Sequence, residues 1–228
     1  QLDLPANFEL RTVLVDDGST DGTSDAVASS FPDVEVLCGD GSLFWCGGMC
    51  KAWSHAEQIS PDYLLLLNDD TFLTDDAIQR LLEVSPTPES MIVAVGAITD
   101  PDAKDAVVYG GRERVKDGKL MQLDGTVREC EMFNANCVLI PRAVRASVGA
   151  LSPDYTHAFA DFEYGIRAIR KGVRILQTAT AIGYCKPNPT KGTWADKTLT
   201  RTTRLKKLHS PKGLPAKDHF IFSYRAHG

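Results

Sequence analysis

The sequence of 228 residues lacks the long apolar runs and the cysteine spacings that would indicate a membrane-spanning chain or a metal finger. Its longest apolar stretch, residues 91–98, is far shorter than the roughly 20 residues that cross a bilayer. Its six cysteines include no CxxC pair, so we expect reduced thiols that pack as small hydrophobic groups. No signal-peptide pattern is recognised, and we therefore expect a cytoplasmic protein.

Charge is unevenly distributed along the chain. The net charge is -5, but residues 186–228 contain ten Lys or Arg against two Asp or Glu, so this tail carries +8 and the remainder carries -13. Such a tail is expected to bind anions, and a solvated basic surface is the alternative. We expect no nucleic-acid partner, because the acidic remainder of the chain would repel one.

Short apolar runs that alternate with amphipathic segments predict an α/β fold. Strands are predicted over residues 11–15, 34–37, 63–67, 91–98, 133–140 and 173–177. Helices are predicted over residues 24–30, 49–58, 75–84, 141–148 and 161–171. This order favours a mainly parallel, Rossmann-like sheet flanked by helices. We also expect a small antiparallel excursion, with short strands at 107–109 and 119–122, and an irregular tail with one or two short helices beyond residue 186.

Two acidic motifs directly follow two of the predicted strands. Asp16 and Asp17 come after the apolar residues 13–15, and a second pair, Asp69 and Asp70, comes after residues 64–67. In open α/β sheets, ligands gather at the carboxyl ends of the strands, so these carboxylates predict a site there. Because burial of an unpaired charge is costly, we expect them to face solvent, a metal ion or a ligand.

Two alternative interpretations of the first acidic motif fail on single residues. An EF-hand loop that starts at Asp17 would need a glutamate at its twelfth position, which is Ala28. A phosphatase loop of the DxDGT type would need an aspartate at Val15. For the second motif, residues 68–71, a plain turn with a helix cap is the alternative.

The order of three motifs resembles that of the family 2 glycosyltransferases, which have the GT-A fold. The segments are VLVDDGSTDGT at residues 13–23, LLLNDDT at 65–71 and FADFEYGIR at 159–167. They are similar, in that order, to the nucleotide-binding strand end, the strand before the DxD-type metal motif, and the segment that holds the catalytic base. Segments at residues 39–45, 191–196 and 210–215 are similar to those of bacterial rhamnosyl- or galactosyl-type transferases of surface polysaccharide.

The resemblance implies an enzyme that transfers a sugar with inversion from a UDP- or dTDP-sugar to a hydroxyl of a saccharide or lipid-linked acceptor, in cell-surface polysaccharide synthesis. It implies Mg²⁺ or Mn²⁺ as cofactor, with Asp70 as metal ligand and Asp161 as general base. It also implies a single domain over residues 1–228, with residues 186–228 as a basic tail or lid. A first strand and helix are expected to precede residue 1.

Six residues are candidates for binding the nucleotide-sugar donor, and one of them, Lys212, lies in the basic tail. Asp16 and Asp17 can accept hydrogen bonds from the N–H of uracil or thymine and from ribose hydroxyls. Asp69 precedes Asp70 on an extended segment, so its side chain should point to the other side, towards ribose or sugar hydroxyls. Gly47 and Gly48 would let the backbone approach the donor closely at a helix start, although plain turns also use glycine.

The other candidates concern the acceptor, the leaving group and the metal. Trp45 and Glu163 are expected to contact the acceptor, with core packing as the alternative for Trp45 and pairing with Arg167 for Glu163. Lys212 in the tail is expected to stabilise the leaving diphosphate. His157 is the second candidate for the base. Cys185 stands where many family members have a metal-binding histidine, and we expect it not to bind the metal because a thiolate suits Mg²⁺ or Mn²⁺ poorly.

Two other functions are open at this point. A nucleotidyltransferase that makes sugar nucleotides would share the sheet and the acidic metal site. A catalytically silent sugar-nucleotide-binding subunit would share the donor site, although the presence of both Asp70 and Asp161 argues against it. The basic tail also makes a peripheral contact with an anionic membrane an alternative to the lid.

Overall fold

The structure is a computed structural model that describes residues 2–113 and 118–227. The contacts within the chain divide it into two compact units. The first unit comprises Gln1–Leu10, Ala56–Ala150 and Tyr164–Pro187, and the second comprises Arg11–His55, Leu151–Glu163 and Asn188–Gly228. The single domain over residues 1–228 stays a prediction, and each unit is described by itself.

The strands and helices alternate through the first half of the chain. The strands are β1 (Thr12–Asp16), β2 (Val34–Cys38), β3 (Tyr63–Leu67), β4 (Phe72–Leu73), β5 (Ile92–Asp100), β6 (Ala103–Tyr109), β7 (Gly111–Arg112), β8 (Arg128–Glu129), β9 (Met132–Phe133), β10 (Cys137–Pro141) and β11 (Arg174–Tyr184). The helices are α1 (Thr23–Ser30), α2 (Phe44–Ala56), α3 (Ala77–Val84), α4 (Arg142–Val148), α5 (Ala160–Arg170), α6 (Arg201–Leu208) and α7 (Ala216–His227). These elements confirm the predicted α/β class.

The first unit is built on a mixed sheet of seven strands. The order is β3-β10-β5-β11-β4, with β6 added to β5 and β8 added to β11. Strand β10 is antiparallel to both β3 and β5, and β11 is parallel to β5. Strands β3, β5 and β11 therefore run in one direction, and the antiparallel partners make the sheet mixed.

The core of the first unit forms where α3 packs against this sheet. Strand β5 is buried continuously from residue 93 to residue 99, as expected for a strand that is covered on both faces. Helix α3 buries Ala77, Ile78, Leu81 and Val84, whose spacing places them on one helix face. Within the described residues, no helix has the length and apolarity to cross a membrane.

The second unit contains the β-α-β segment at the start of the chain and the two helices of the tail. Strands β1 and β2 pair in parallel, from Thr12 opposite Val34 to Asp16 opposite Cys38, and α1 connects them. In the tail, the hydroxyl of Thr200 accepts a hydrogen bond from the Thr203 N–H and caps α6. Helices α6 and α7 confirm the one or two helices predicted there.

Three predicted strands differ clearly from the structure, and tertiary pairing explains the first two differences. The predicted strand 133–140 is divided, because β9 pairs with β7 whereas β10 pairs with β3 and β5. The last strand continues to Tyr184 through a bulge, in which the Thr178 hydroxyl accepts from the Ala97 N–H and donates to the Thr180 carbonyl. The predicted strand 119–122 is reduced to one bridge between Leu120 and Arg112.

The cysteines are free, as predicted from their spacing. All six lie within the described residues, and none forms a disulfide. Cys46, Cys130, Cys137 and Cys185 are buried. Burial raises the pKa of the Cys130 and Cys137 thiols to about 12, so both are neutral small side chains of the core.

Gly183 is expected to be required for the pairing of β4 with β11. A Cβ at this position would lie 2.5 Å from the Phe72 carbonyl oxygen and 3.3 Å from the Leu73 Cα. Gly183→Ala should therefore push β4 away and lower the free energy of unfolding by about 1–3 kcal/mol in urea titrations.

The matched control is Gly48→Ala within α2. A Cβ there would be in ordinary contact with Val15, at 3.9 Å from Cγ1. Alanine should be neutral at this helical position or stabilise it by up to about 1 kcal/mol. Wild-type stability in Gly183→Ala would contradict the close approach of the two strands.

Candidate functional site

The second acidic pair lies in the tight turn that joins β3 to β4 in the first unit. The Thr71 N–H donates to the Asn68 carbonyl at 3.1 Å, and the Asn68 N–H donates to the Asn136 carbonyl at 3.0 Å. Thr71 and Asn136 are buried, whereas Asp69 and Asp70 are exposed. The sheet therefore fixes the backbone of the turn while both carboxylates face solvent, as predicted for a polar site.

Cys185 lies directly after β11 and beside Asp70. It is 2% exposed, and its N–H donates to the Thr99 carbonyl at 3.0 Å. Burial, followed by the charge of Asp70 and a hydrogen bond to its carboxylate, raises the pKa of the Cys185 thiol to about 11. At neutral pH this position therefore holds a protonated thiol.

The donor set of this turn fits a hard divalent cation. Among the described residues, no group of three or more His, Cys, Asp or Glu side chains could hold a metal ion. Mg²⁺ and related ions need no such group, because one or two carboxylates bind them together with water and substrate phosphates. Asp70 and Asp69 offer suitable oxygen atoms, whereas the neutral thiol of Cys185 does not.

Asp16, at the end of β1 in the second unit, forms hydrogen bonds with residues that follow it in the chain. It is 7% exposed, its Oδ1 accepts from the Ser19 N–H at 2.9 Å, and its Oδ2 accepts from the Ser24 hydroxyl. Hydrogen bonding by the Ser19 side chain contributes most to lowering the pKa of Asp16, followed by the bond from the Ser24 hydroxyl. The residue thus connects the end of β1 to the first turn of α1, a structural role that was not predicted.

Asp17 connects two loops that were predicted only as separate motifs. Its Oδ1 accepts from the Gly41 N–H at 2.9 Å, and its Oδ2 accepts from the Phe44 N–H at 3.0 Å. A Cβ at Gly39 would lie 2.4 Å from the Asp17 Oδ1 and 3.0 Å from the Asp17 Cα, so a larger residue there would disturb these hydrogen bonds. The loops that follow the parallel strands β1 and β2 are therefore held together, at the edge where such strands present ligand-binding groups.

The segment from Trp45 to Gly48 lies inside α2, which begins earlier than predicted because Asp17 binds the N–H of its first residue. The prediction that Gly47 and Gly48 precede a helix start is therefore wrong. A Cβ at Gly47 would be tight, at 3.1 Å from the Leu43 Cβ, whereas Gly48 has room for one. Trp45 is partly buried against the apolar cluster that contains Cys46, and its contact with an acceptor stays a prediction.

Asp161 lies in the first turn of α5, two residues after a residue with a strained backbone. Phe159 has φ +74°, a backbone conformation that is rare for residues other than glycine. Its ring stacks on Phe222 of α7, with centroids 4.9 Å apart, and meets His219 edge-on at 5.9 Å. Strain of this kind persists only where packing enforces it, so α7 holds the backbone that precedes Asp161.

Asp218 strengthens this connection between α7 and the segment before Asp161. The side chain of Asp218 is fully buried and accepts a hydrogen bond from the Thr156 N–H at 2.8 Å. The sequence did not single out Asp218, whose only local signal is that it is one of two acidic residues in a mainly basic tail. Glu163, by contrast, is 6% exposed, so its exposure does not support the predicted contact with an acceptor.

His157 is a partly buried imidazole in the same segment of the second unit. Its Nδ1 is buried and has no hydrogen-bond partner among the described residues. Burial is the main reason that the pKa of His157 is lowered, the charge of Lys212 lowers it further, and Asp218 opposes both effects. His157 is therefore neutral at pH 7, and Lys212 lies close enough to influence it.

The fold is of the α/β class, and acidic residues directly follow two of its strands. The family model described as Glycosyl transferase family 2 matches residues 6–133. The match covers more than half of the chain, and the chain belongs to glycosyl transferase family 2, as the three motifs predicted. This membership argues against a nucleotidyltransferase. A search of curated proteins finds no match.

Solved glycosyltransferase structures share the fold at low sequence identity. GalNAc-T7 with UDP, GalNAc and Mn²⁺ matches with a TM-score of 0.57 and 13% identity, over 86% of this chain and 41% of that one. The mannosyltransferase PcManGT from Pyrobaculum calidifontis, in complex with GDP-Man and Mn²⁺, matches with a TM-score of 0.58 and 16% identity. This match covers 93% of this chain and 54% of that one. S. aureus TarS matches with a TM-score of 0.58 and 15% identity, over 98% of this chain and 39% of that one.

These similarities confirm the GT-A type of fold and concern the fold alone. The chain spans between 39% and 54% of the length of these three proteins. The activity and substrates of the whole protein are therefore matters for proposal.

Removal of Lys212 is expected to raise the pKa of His157 towards its ordinary value. The physical reason is that the Lys212 charge disfavours the imidazolium form. NMR titration of the His157 ring in wild type and in Lys212→Ala measures the effect. Lys191→Ala, which removes another exposed lysine of the tail, is the control and should leave the pKa unchanged. An identical pKa in wild type and Lys212→Ala would refute the influence of Lys212.

Proposed function

We propose that this protein is an inverting glycosyltransferase that moves a sugar from a UDP- or dTDP-sugar to a hydroxyl of a saccharide or lipid-linked acceptor. The observation that carries the proposal is the exposed Asp69–Asp70 turn at the end of β3, in a chain that belongs to glycosyl transferase family 2. A rhamnosyl- or galactosyl-type donor and a role in cell-surface polysaccharide synthesis are part of the proposal. Their support is the resemblance of residues 39–45, 191–196 and 210–215.

Donor-binding roles are proposed separately for the residues of each acidic motif. Asp70 would hold Mg²⁺ or Mn²⁺, and Asp69 would bind ribose or sugar hydroxyls. Asp16 and Asp17 would accept hydrogen bonds from the base and the ribose, using lone pairs that their loop contacts leave available. The cation, when bound, would neutralise the charge that develops on the leaving diphosphate. Mn²⁺ accompanies UDP or GDP-Man in the GalNAc-T7 and PcManGT structures, which supports this choice of cofactor.

Asp161 is proposed as the general base. One of its carboxylate oxygens takes the proton of the acceptor hydroxyl while the acceptor oxygen bonds to the anomeric carbon and the bond to the diphosphate breaks on the opposite face. Asp161 is partly exposed in the first turn of α5, so a substrate can reach it. The neutral His157 is the second candidate, because a base must be unprotonated before it can accept a proton.

The basic tail is proposed to act as a lid over the donor. Lys212 is exposed in the turn between α6 and α7, and its charge would stabilise the leaving diphosphate. Gly213 is needed in that turn, because a Cβ there would lie 2.2 Å from the Lys207 carbonyl oxygen. Contact of the tail with an anionic membrane, beside a lipid-linked acceptor, is the alternative, and the protein is expected in the cytoplasm.

Asp70→Ala should abolish the Mn²⁺-dependent binding of UDP or dTDP and leave the fold intact. The reason is that the diphosphate is held mainly through the cation, whereas the exposed Asp70 side chain contributes no core packing. Isothermal titration calorimetry with MnCl₂ and then with EDTA measures the effect. Asp33→Ala, which removes an exposed aspartate outside both motifs, is the matched control.

Cys185→Ser provides a second comparison at the same turn. This variant should keep the Mn²⁺ dependence of the wild type, because a buried neutral thiol is not a ligand. Unchanged affinity of wild type in EDTA would exclude the metal role of Asp70. Loss of Mn²⁺ dependence in Cys185→Ser would instead make Cys185 a ligand.

Asp161→Asn should keep donor affinity near that of the wild type and lower turnover by about 10²-fold or more, because the amide has the same shape but cannot take a proton. Turnover is measured as nucleoside diphosphate released from UDP-galactose, UDP-glucose and dTDP-rhamnose. Product NMR should show inversion at the anomeric carbon. A normal rate in Asp161→Asn would assign the base role elsewhere, and absence of turnover in wild type would favour the silent binding subunit.

A further inference from the structure

Two large aromatic side chains lie exposed and stacked on the edge of the first-unit sheet. Phe72 of β4 and Tyr184 of β11 are direct cross-strand partners. Their ring centroids are 5.3 Å apart and their planes differ by 9°. Phe72 is 60% exposed and Tyr184 is 44% exposed. The rings therefore cover each other in part and leave a joint apolar surface open to solvent.

The position of this aromatic pair is fixed by the fold. Gly183 lets β4 approach β11 so closely that a Cβ would lie 2.5 Å from the Phe72 carbonyl oxygen. The sequence neighbours of the pair, Thr71 and Cys185, are buried, so strand alternation directs both rings outwards. Because two exposed aromatic rings gain little from burial, the pair is expected to serve a contact that is made on this surface.

The aromatic pair borders the proposed metal ligand. Phe72 follows Asp70 by two residues, and its cross-strand partner Tyr184 directly precedes Cys185, which lies beside Asp70. An apolar face and two exposed carboxylates therefore lie side by side within the first unit. A ligand that matches both must have an apolar face and several hydroxyl donors.

We propose that Phe72 and Tyr184 form a platform that binds the saccharide of the acceptor, an inference that rests on the proposed function. The C–H groups on one face of a pyranose carry partial positive charge and pack on the negative face of an aromatic ring. The hydroxyls at the rim of the same sugar donate to carboxylates. An anionic membrane surface fits less well, because Asp69 and Asp70 would repel it.

The acceptor fits this surface better than the donor sugar. The platform lies on β4, at one end of the sheet order, where a chain of several sugar units can extend beyond the strand. A donor carries one sugar next to its diphosphate and needs no extended surface. Binding by the two rings and the neighbouring carboxylates therefore favours a saccharide with at least one apolar pyranose face.

The test compares ring-deletion variants with a matched control. Wild type, Phe72→Ala, Tyr184→Ala and the double variant are applied to an array of defined oligosaccharides without donor, and the strongest ligand is then titrated by calorimetry. The double variant should bind it about ten-fold more weakly, as expected for the loss of two ring contacts. Tyr184→Phe, which keeps the ring, should bind like wild type. Phe31→Ala, which removes an aromatic side chain that is 62% exposed in the second unit, should also bind like wild type.

The possible results separate the platform from the proposed function. Wild-type affinity in the double variant, or the absence of oligosaccharide binding by wild type, overturns the platform. An equal loss of affinity for UDP with Mn²⁺ in the double variant assigns the rings to the donor and also overturns it. Oligosaccharide binding that requires both rings, in a protein without transfer activity, supports the platform and rejects the glycosyltransferase. Circular dichroism and the melting temperature show whether each variant is folded. If Phe72→Ala does not fold, Phe72→Leu, which keeps apolar bulk without a ring, repeats the test.

Discussion

The pairing of β11 with β5 on one side and with β4 on the other is the constraint on which the acidic turn of the first unit depends. Strand β11 pairs in parallel with β5 along most of its length. At the bulge in this pairing, the Thr178 hydroxyl binds the Ala97 N–H and the Thr180 carbonyl. Its last residues carry β4, and Gly183 permits the close approach. Because β4 directly follows the turn, this pairing sets the position of Asp70, of Cys185 beside it and of the exposed aromatic pair.

The two acidic motifs look alike in sequence but differ in how their carboxylates are satisfied. In the second unit, Asp16 and Asp17 accept hydrogen bonds from four groups of the surrounding loops and thereby order those loops. In the first unit, Asp69 and Asp70 are exposed, and backbone hydrogen bonds of Asn68 and Thr71 order the turn instead. A carboxylate that orders its loop has less capacity for a ligand, so the second motif is better suited to a cation.

In the second unit, the conformation of the segment that precedes Asp161 depends on contacts with the tail. Asp218 and Phe222 of α7 hold Thr156 and the strained Phe159, which precede Asp161. The tail was interpreted from its composition as a charged surface and a lid. Its helix α7 also has an apolar and acidic inner side, which supports the segment that would perform proton transfer. Charge counting could not find this role, because it belongs to one acidic and one apolar residue of the tail, neither of which is exposed.

The sequence by itself determined the family, the α/β class and the elements whose signals are local. Strand β3 has the predicted bounds, α4 follows Pro141, and α5 ends before Gly172, because apolar runs, proline and glycine act on the neighbouring backbone. Only the tertiary structure decided where α2 begins, since its first N–H binds Asp17 from another loop, and where the strand over 133–140 breaks. The stacking of Phe72 on Tyr184 was decided there as well. These features depend on partners that are distant in the chain, and no local pattern of residues records which partner will be near.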